Sequence, residues 1–179
     1  MKFRLRDRAS FEARLRARGA VAGPLEEEVN ILLDDAARTI YGSGRALRVR
    51  TVGATGTLTF KGEATFTNGV KSRLELETGV DAPERTIQIL TALGLTAWFR
   101  YDKRRTTWRF QDPARPLVVV DETPLGLFAE IEGDDGAVRQ LAKELDVDEG
   151  EFLTGSYLSL YQEARRRDPS LPRDMVFPS

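Results

Sequence analysis

The stretch Ala46–Lys61, ALRVRTVGATGTLTFK, decides the fold. Arg48 and Arg50 share one parity, and Leu47 and Val49 the other. After the glycine-bounded turn 53–56 the alternation resumes, with Leu58 and Phe60 set against Lys61. Side chains alternate faces along a strand, so the pattern predicts a hairpin with one charged and one apolar face.

The same pattern recurs outward from the hairpin. Arg73, Glu75 and Glu77 alternate with Leu74 and Leu76. Lys103, Arg105 and Arg109 share a parity on a long strand-like run, 97–110. Asp121 follows Val118 and Val120, and Glu130 and Glu132 close the series. Further strands are expected at 1–5 and 28–33, with the strand around Arg73 placed at 71–78. Helices are expected after Ser10 as N-cap, with Phe11 and Leu15 as the apolar stripe. Others are expected after 81–84 with Pro83 in the first turn, over 136–145 and over 156–167. Residues 168–179 read as an irregular tail, and 1–167 as a single domain. The count is about seven or eight strands with three to five helices. Short turns favour an antiparallel sheet, and closing about eight strands removes the edges and leaves a small interior. The expected fold is α+β, an antiparallel sheet of about eight strands closed into a barrel, with helices packed outside.

Composition excludes several chemistries. Lys plus Arg number 27 and Asp plus Glu 28 in 179 residues, a net charge of -1, which gives no support for nucleic-acid binding. There is no cysteine and no histidine, so thiol and imidazole catalysis and Cys or His metal sites are out. A metal would be held by oxygen, which points to Mg²⁺ or Mn²⁺. No apolar run is long enough for a membrane helix, and the Arg-rich start lacks an apolar core for a targeting peptide. The cytoplasm is the expected location, and the oligomeric state is open.

A charged parity is also what the solvated face of an ordinary sheet shows. Three observations favour a charged interior. The apolar parity needs cover, and amphipathic helices are available to supply it. Like charges stand at i, i+2 in Arg48/Arg50, Glu75/Glu77 and Glu130/Glu132, and repel unless an opposite charge lies between them. Bases and acids fall mostly on different strands. Arg48, Arg50 and Arg105 could fork onto phosphate oxygens, with Lys61 as a point charge. Glu75, Glu77, Asp121, Glu130 and Glu132 could hold one or two divalent ions and orient a water for attack on phosphorus. Without histidine or cysteine, the base is expected to be a carboxylate or a metal-bound water.

In order along the chain stand Lys2-Phe3, Glu28-Val29-Asn30 to Leu33-Asp34, Ala46 to Arg50, Leu58 to Gly62, Arg73 to Glu77, Lys103 to Trp108, Val120 to Pro124 and Phe128 to Glu132. In this order and spacing the chain resembles the CYTH superfamily, the triphosphate tunnel metalloenzymes, to about Tyr161. The resemblance implies an eight-stranded tunnel and metal-dependent action on a triphosphate. That would be hydrolysis of inorganic triphosphate, thiamine triphosphate or a nucleoside triphosphate, or cyclisation of ATP as in class IV adenylate cyclases. It implies Lys2, Arg48, Arg50, Lys61, Arg73, Lys103 and Arg105 as substrate binders. It implies Glu75, Glu77, Asp121, Glu130 and Glu132 as the acidic set, with Glu75, Glu77 and Glu130 serving catalysis. The family signature on the first strand is Glu-x-Glu-x-Lys. Lys2 takes the place of its lysine, and neither glutamate is present. Two expectations follow: a start lying further upstream, or a reduced metal site in a binding protein or weakened enzyme.

Other features read as structure. Trp98, Phe99, Trp108 and Phe110 are expected to pack. Gly42-Ser43-Gly44 is a turn and not a phosphate loop. Arg165, Arg166 and Arg167 form a solvated helix end favoured by the helix dipole.

Overall fold

A computed structural model describes residues 1–67 and 70–178. In chain order the elements are β1 (Lys2–Arg4), α1 (Arg8–Ala17), β2 (Val21–Asp34), α2 (Thr39–Gly42), β3 (Ala46–Val52), β4 (Thr55–Lys61), β5 (Thr65–Thr67) and β6 (Val70–Ser72). They continue with β7 (Glu75–Val80), α3 (Pro83–Ala92), β8 (Thr96–Arg109), β9 (Leu117–Thr123), β10 (Gly126–Glu132), α4 (Asp135–Glu144) and α5 (Tyr157–Arg167). Eight strands form one antiparallel sheet in the order β1-β10-β9-β8-β2-β3-β4-β7, and β5 pairs with β6 in a separate hairpin. The eight-stranded antiparallel sheet with helices is the expected architecture. Closure is the difference: the described strand order ends at β1 and β7 with no ladder joining them. On one side β1 pairs with β10, with Lys2 opposite Glu130 and Arg4 opposite Phe128, and on the other Lys2 forms a bridge with Leu153.

The chain divides into two compact units. One comprises Met1–Glu26, Lys103–Leu171 and the residues from Phe177 onward; the other comprises Glu27–Asp102 and Pro172–Val176. The strands β2 and β8 run through both.

The first unit has a core of Phe3, Phe11, Leu15, Trp108, Val118, Val120, Ile131, Val138, Leu141 and Leu145, all buried. Each such side chain contributes roughly 1.5–3 kcal/mol by leaving water. Phe3 meets Phe11 edge-on at 5.6 Å, which fixes α1 against β1. Asp7, and not Ser10, caps α1: its carboxylate accepts from the Ser10 N–H at 3.1 Å. A carboxylate at that end also complements the helix dipole. Gly19, at φ 81°, turns the chain out of the helix.

The second unit is built on the β3–β4 hairpin. Val52 faces Thr55 across a two-residue loop, with Gly53 at φ 58°. Gly56 lies so close to the Arg50 carbonyl and the Pro83 ring that a Cβ there would overlap both. Leu33, Val49, Phe99 and Met175 are buried, and α3 packs on β3 and β4. The tail is irregular, yet Met175 bonds through its backbone to Arg100 and Asp102. The expected strand 71–78 is divided. Residues 70–72 belong to β6 and 75–80 to β7, because the two stretches pair with different strands, β6 with β5 and β7 with β4. Helical cover of the apolar parity is incomplete, since Leu74 and Leu76 are exposed. Trp108 and Phe99 are buried as packing residues. Among the described residues no helix is long and apolar enough to cross a membrane.

Candidate functional site

In each unit part of the charged parity is turned away from water, while Glu75, Glu77, Arg109 and Glu132 on the same parity are exposed. Arg48, Lys103, Asp121 and Glu28 are buried, whereas Leu76 on the apolar parity is 57 % exposed. The apolar parity is buried as well at Val49, Val118, Val120 and Ile131, so at these strands both faces of the sheet are covered, and the buried charges lie on a face that a solvated sheet would leave to water.

In the second unit the register places the charges in cross-strand pairs. Lys61 stands opposite Glu75 and Thr59 opposite Glu77. Lys61 donates to Glu75 at 2.8 Å, and Arg73 Nε reaches the other Glu75 oxygen at 2.9 Å. Thr59 donates to Glu77 at 2.7 Å and accepts from Arg48 at 3.2 Å. The like-charge pair Glu75/Glu77 is therefore relieved by a separate cation for each member, Arg48 lying 3.5 Å from Glu77. Burial lowers the Lys61 pKa, partly offset by its bond to Glu75. Burial works to raise Glu75, but Lys61 and Arg73 outweigh it and hold the carboxyl below its usual range. Burial also works against the Arg48 charge, and the Tyr101 oxygen with the carboxylates of Glu28 and Glu77 outweighs it. Arg50 lies 3.4 Å from Glu28, a buried carboxylate that the sequence reading left out of the site. Glu28 stands in the family-like segment Glu28-Val29-Asn30, but its burial beside Arg50 follows only from the register of β2 against β3. Asp34, also buried, accepts from the backbone of Asp35, Ile40 and Tyr41 and holds the loop leading to β3.

In the first unit the centre is Asp121. Arg105 grips it with Nε and Nη2, both at 2.6 Å. Lys103 reaches Oδ2 at 3.3 Å and the Tyr157 hydroxyl donates to Oδ2 at 2.7 Å. Burial would raise the Asp121 pKa, yet Arg105, Lys103 and Tyr157 hold it far below the carboxylate range. Glu130 lies 3.3 Å from Lys2 and 3.8 Å from Arg105. Burial would raise it too, and those cations outweigh burial. Glu132 is pushed up, by burial and then by the charge of Glu130.

The structure thus gathers Lys2, Lys103, Arg105, Asp121, Glu130 and Glu132 in one unit. It gathers Arg48, Arg50, Lys61, Arg73, Glu75 and Glu77 in the other. Tyr157 was missed by sequence reasoning, because a tyrosine at the start of a helix carries no alternation or charge signal.

Among the described residues no group of three or more carboxylates has metal-binding geometry. The pair Glu130/Glu132 still fits a hard divalent ion. Two carboxylates two residues apart on one strand offer oxygen donors of the kind a hard cation takes, and Mg²⁺ is commonly held by one or two carboxylates plus substrate phosphates.

The fold is an eight-stranded antiparallel sheet of alternating strands, with both cations and carboxylates among its buried residues. The CYTH domain family matches residues 1–166, and the chain belongs to that family. Solved structures share its fold. A candidate adenylate cyclase from Vibrio parahaemolyticus is 16% identical, with a TM-score of 0.75, over 90% of this chain and 95% of that one. The PH1819 protein of Pyrococcus horikoshii OT3 is 24% identical, with a TM-score of 0.73, over 92% and 97%. HpAC1 of Hippeastrum, an adenylyl cyclase candidate described as revealing a dominant triphosphatase activity, is 17% identical, with a TM-score of 0.70, over 98% of both chains. At these identities the likeness speaks for the fold. No curated protein matches the chain.

Proposed function

We propose that this protein binds a triphosphate compound on its charged strand faces and hydrolyses it with the help of a divalent cation. The observation that carries the reading is the placement of cations. Arg48 and Lys103 are buried, and Lys2, Arg105 and Lys61 are largely so, on faces where a non-binding sheet would place apolar residues.

Arg48, Arg50 and Arg105 offer forked donors to phosphate oxygens, and Lys2, Lys61, Arg73 and Lys103 add charge. Glu130 and Glu132 would hold Mg²⁺ or Mn²⁺, which supplies charge neutralisation at the phosphate oxygens. Glu75, Glu77 and Glu130 would serve catalysis by accepting a proton from an attacking water. In this reading Asp121 spends its oxygens on Arg105, Lys103 and Tyr157 and so serves as their counter-charge. Family membership and the triphosphatase activity described for HpAC1 support the assignment.

The test is phosphate release from inorganic triphosphate, thiamine triphosphate and ATP, with Mg²⁺ or Mn²⁺. Release from any of them supports hydrolysis, and the preferred compound names the substrate. Binding without release would make the protein a triphosphate-binding protein. Cyclic AMP in place of phosphate would make it a cyclase.

A further inference from the structure

Two lysines and one buried carboxylate of the first unit meet around a single ring. Tyr157, buried at the start of α5, presents its face to Lys2 Nζ at 3.8 Å and to Lys103 Nζ at 5.6 Å. Its hydroxyl donates to Asp121 Oδ2 at 2.7 Å, the carboxylate that grips Arg105 at 2.6 Å and Lys103 at 3.3 Å. Its edge is set by Phe128, met at 5.3 Å and an interplanar angle of 83°.

The chain leading into α5 is fastened to the same lysine. Leu153 N–H donates to the Lys2 carbonyl at 2.7 Å. Lys2 Nζ in turn donates to the Gly155 carbonyl at 3.4 Å. Ser156 then caps α5, accepting from Ser159 N–H at 3.1 Å. Lys2 is thus held by a carbonyl, a ring face and, at 3.3 Å, the Glu130 carboxylate.

A lysine ammonium rides on a flexible four-carbon stem, so its direction has to be imposed from outside. A desolvated ring face attracts it without neutralising it. A second carboxylate in that place would cancel the charge needed for phosphate. The tyrosine hydroxyl is also a permanent donor. Burial, then the charges of Asp121 and Glu130, push its ionisation far above the ordinary value.

We propose that Tyr157 is a positioning residue, whose ring and hydroxyl together aim Lys2, Lys103 and Arg105 at the substrate phosphates and make the start of α5 part of the binding site. The inference rests on the triphosphate reading above and adds a residue that touches no substrate.

The test compares wild type, Tyr157→Phe, Tyr157→Leu and Phe128→Leu. Calorimetric binding of inorganic tripolyphosphate, KM, kcat and Tm are measured for each full chain. Tyr157→Phe, which keeps the ring, should raise Kd and KM on the order of 3–10-fold through a less firmly held Asp121. Tyr157→Leu, which loses ring and hydroxyl, should raise them on the order of 10–100-fold, with kcat changed less. Phe128→Leu keeps the Tyr157 ring and hydroxyl and removes only the aromatic neighbour at its edge, so it measures what looser packing around Tyr157 does by itself. A Tyr157→Leu effect on KM that exceeds that of Phe128→Leu at comparable Tm supports the proposal. Equal KM effects, or wild-type binding in both Tyr157 variants, overturn it. Should Tyr157→Leu fail to fold, Tyr157→Phe decides by its Kd, supporting if raised and overturning if unchanged. Wild-type protein that binds no tripolyphosphate would overturn the triphosphate reading, and this inference with it. Wild-type binding left unmoved by the variants would overturn this inference alone.

Discussion

Arg105 and Asp121 stand directly opposite each other on β8 and β9, and the guanidinium closes on the carboxylate with two bonds of 2.6 Å. The carboxylate is fully buried and also bonded to Lys103 and Tyr157, so the pair holds two cations and a phenol in one arrangement.

Asp121→Asn should cost about 3–5 kcal/mol, because it leaves Lys103 and Arg105 as buried charges without their counter-charge. Urea unfolding at neutral pH checks this, with the expected loss appearing as a lower midpoint at unchanged slope.

The same contacts set a pH dependence. Asp121 is held below its unfolded value, so its contribution is complete above about pH 4–5 and is lost as pH falls through the unfolded value toward the folded one. Wild-type stability should fall over that acid range. Asp121→Asn should lower stability at pH 7 and flatten the acid slope. Midpoints measured from pH 7 down to about pH 2 report both effects.

Lys61→Ala and Glu130→Ala should each cut triphosphate turnover, on the order of 10²–10³-fold. Lys61 is tied to Glu75, and Glu130 to Lys2 and Arg105, so each loss removes a charge and frees its partner. Wild-type turnover in both would return these residues to a structural role.

Glu132→Gln should weaken Mn²⁺ binding by about tenfold or more, since it removes one charged member of a two-carboxylate set. Manganese EPR titration reads free ion directly, and an unchanged affinity would place the cation elsewhere.

Gly56→Ala should destabilise the protein by about 1–3 kcal/mol, because the added Cβ overlaps the Arg50 carbonyl and the Pro83 ring. Thermal unfolding measures the cost. Binding should weaken as well, because Arg50 lies on the strand that would have to shift.

Alternation by itself determined which residues share a face. Arg48 with Arg50, Glu75 with Glu77, and Glu130 with Glu132 were legible at once, because the period of a strand is two. Family spacing then pointed to a triphosphate. Which face is buried was not settled by alternation, since a strand reads the same from either side; the packed structure decides it, burying Arg48 while exposing Leu76. Partners were likewise invisible. Lys61 with Glu75 and Arg105 with Asp121 depend on register between strands 14 and 16 residues apart. Tyr157 carries no local signal at all, and the roles of Glu28 and Tyr157 come from what folding places beside them. Local pattern follows from the geometry of one strand, whereas charge pairing and burial follow from how strands and helices meet.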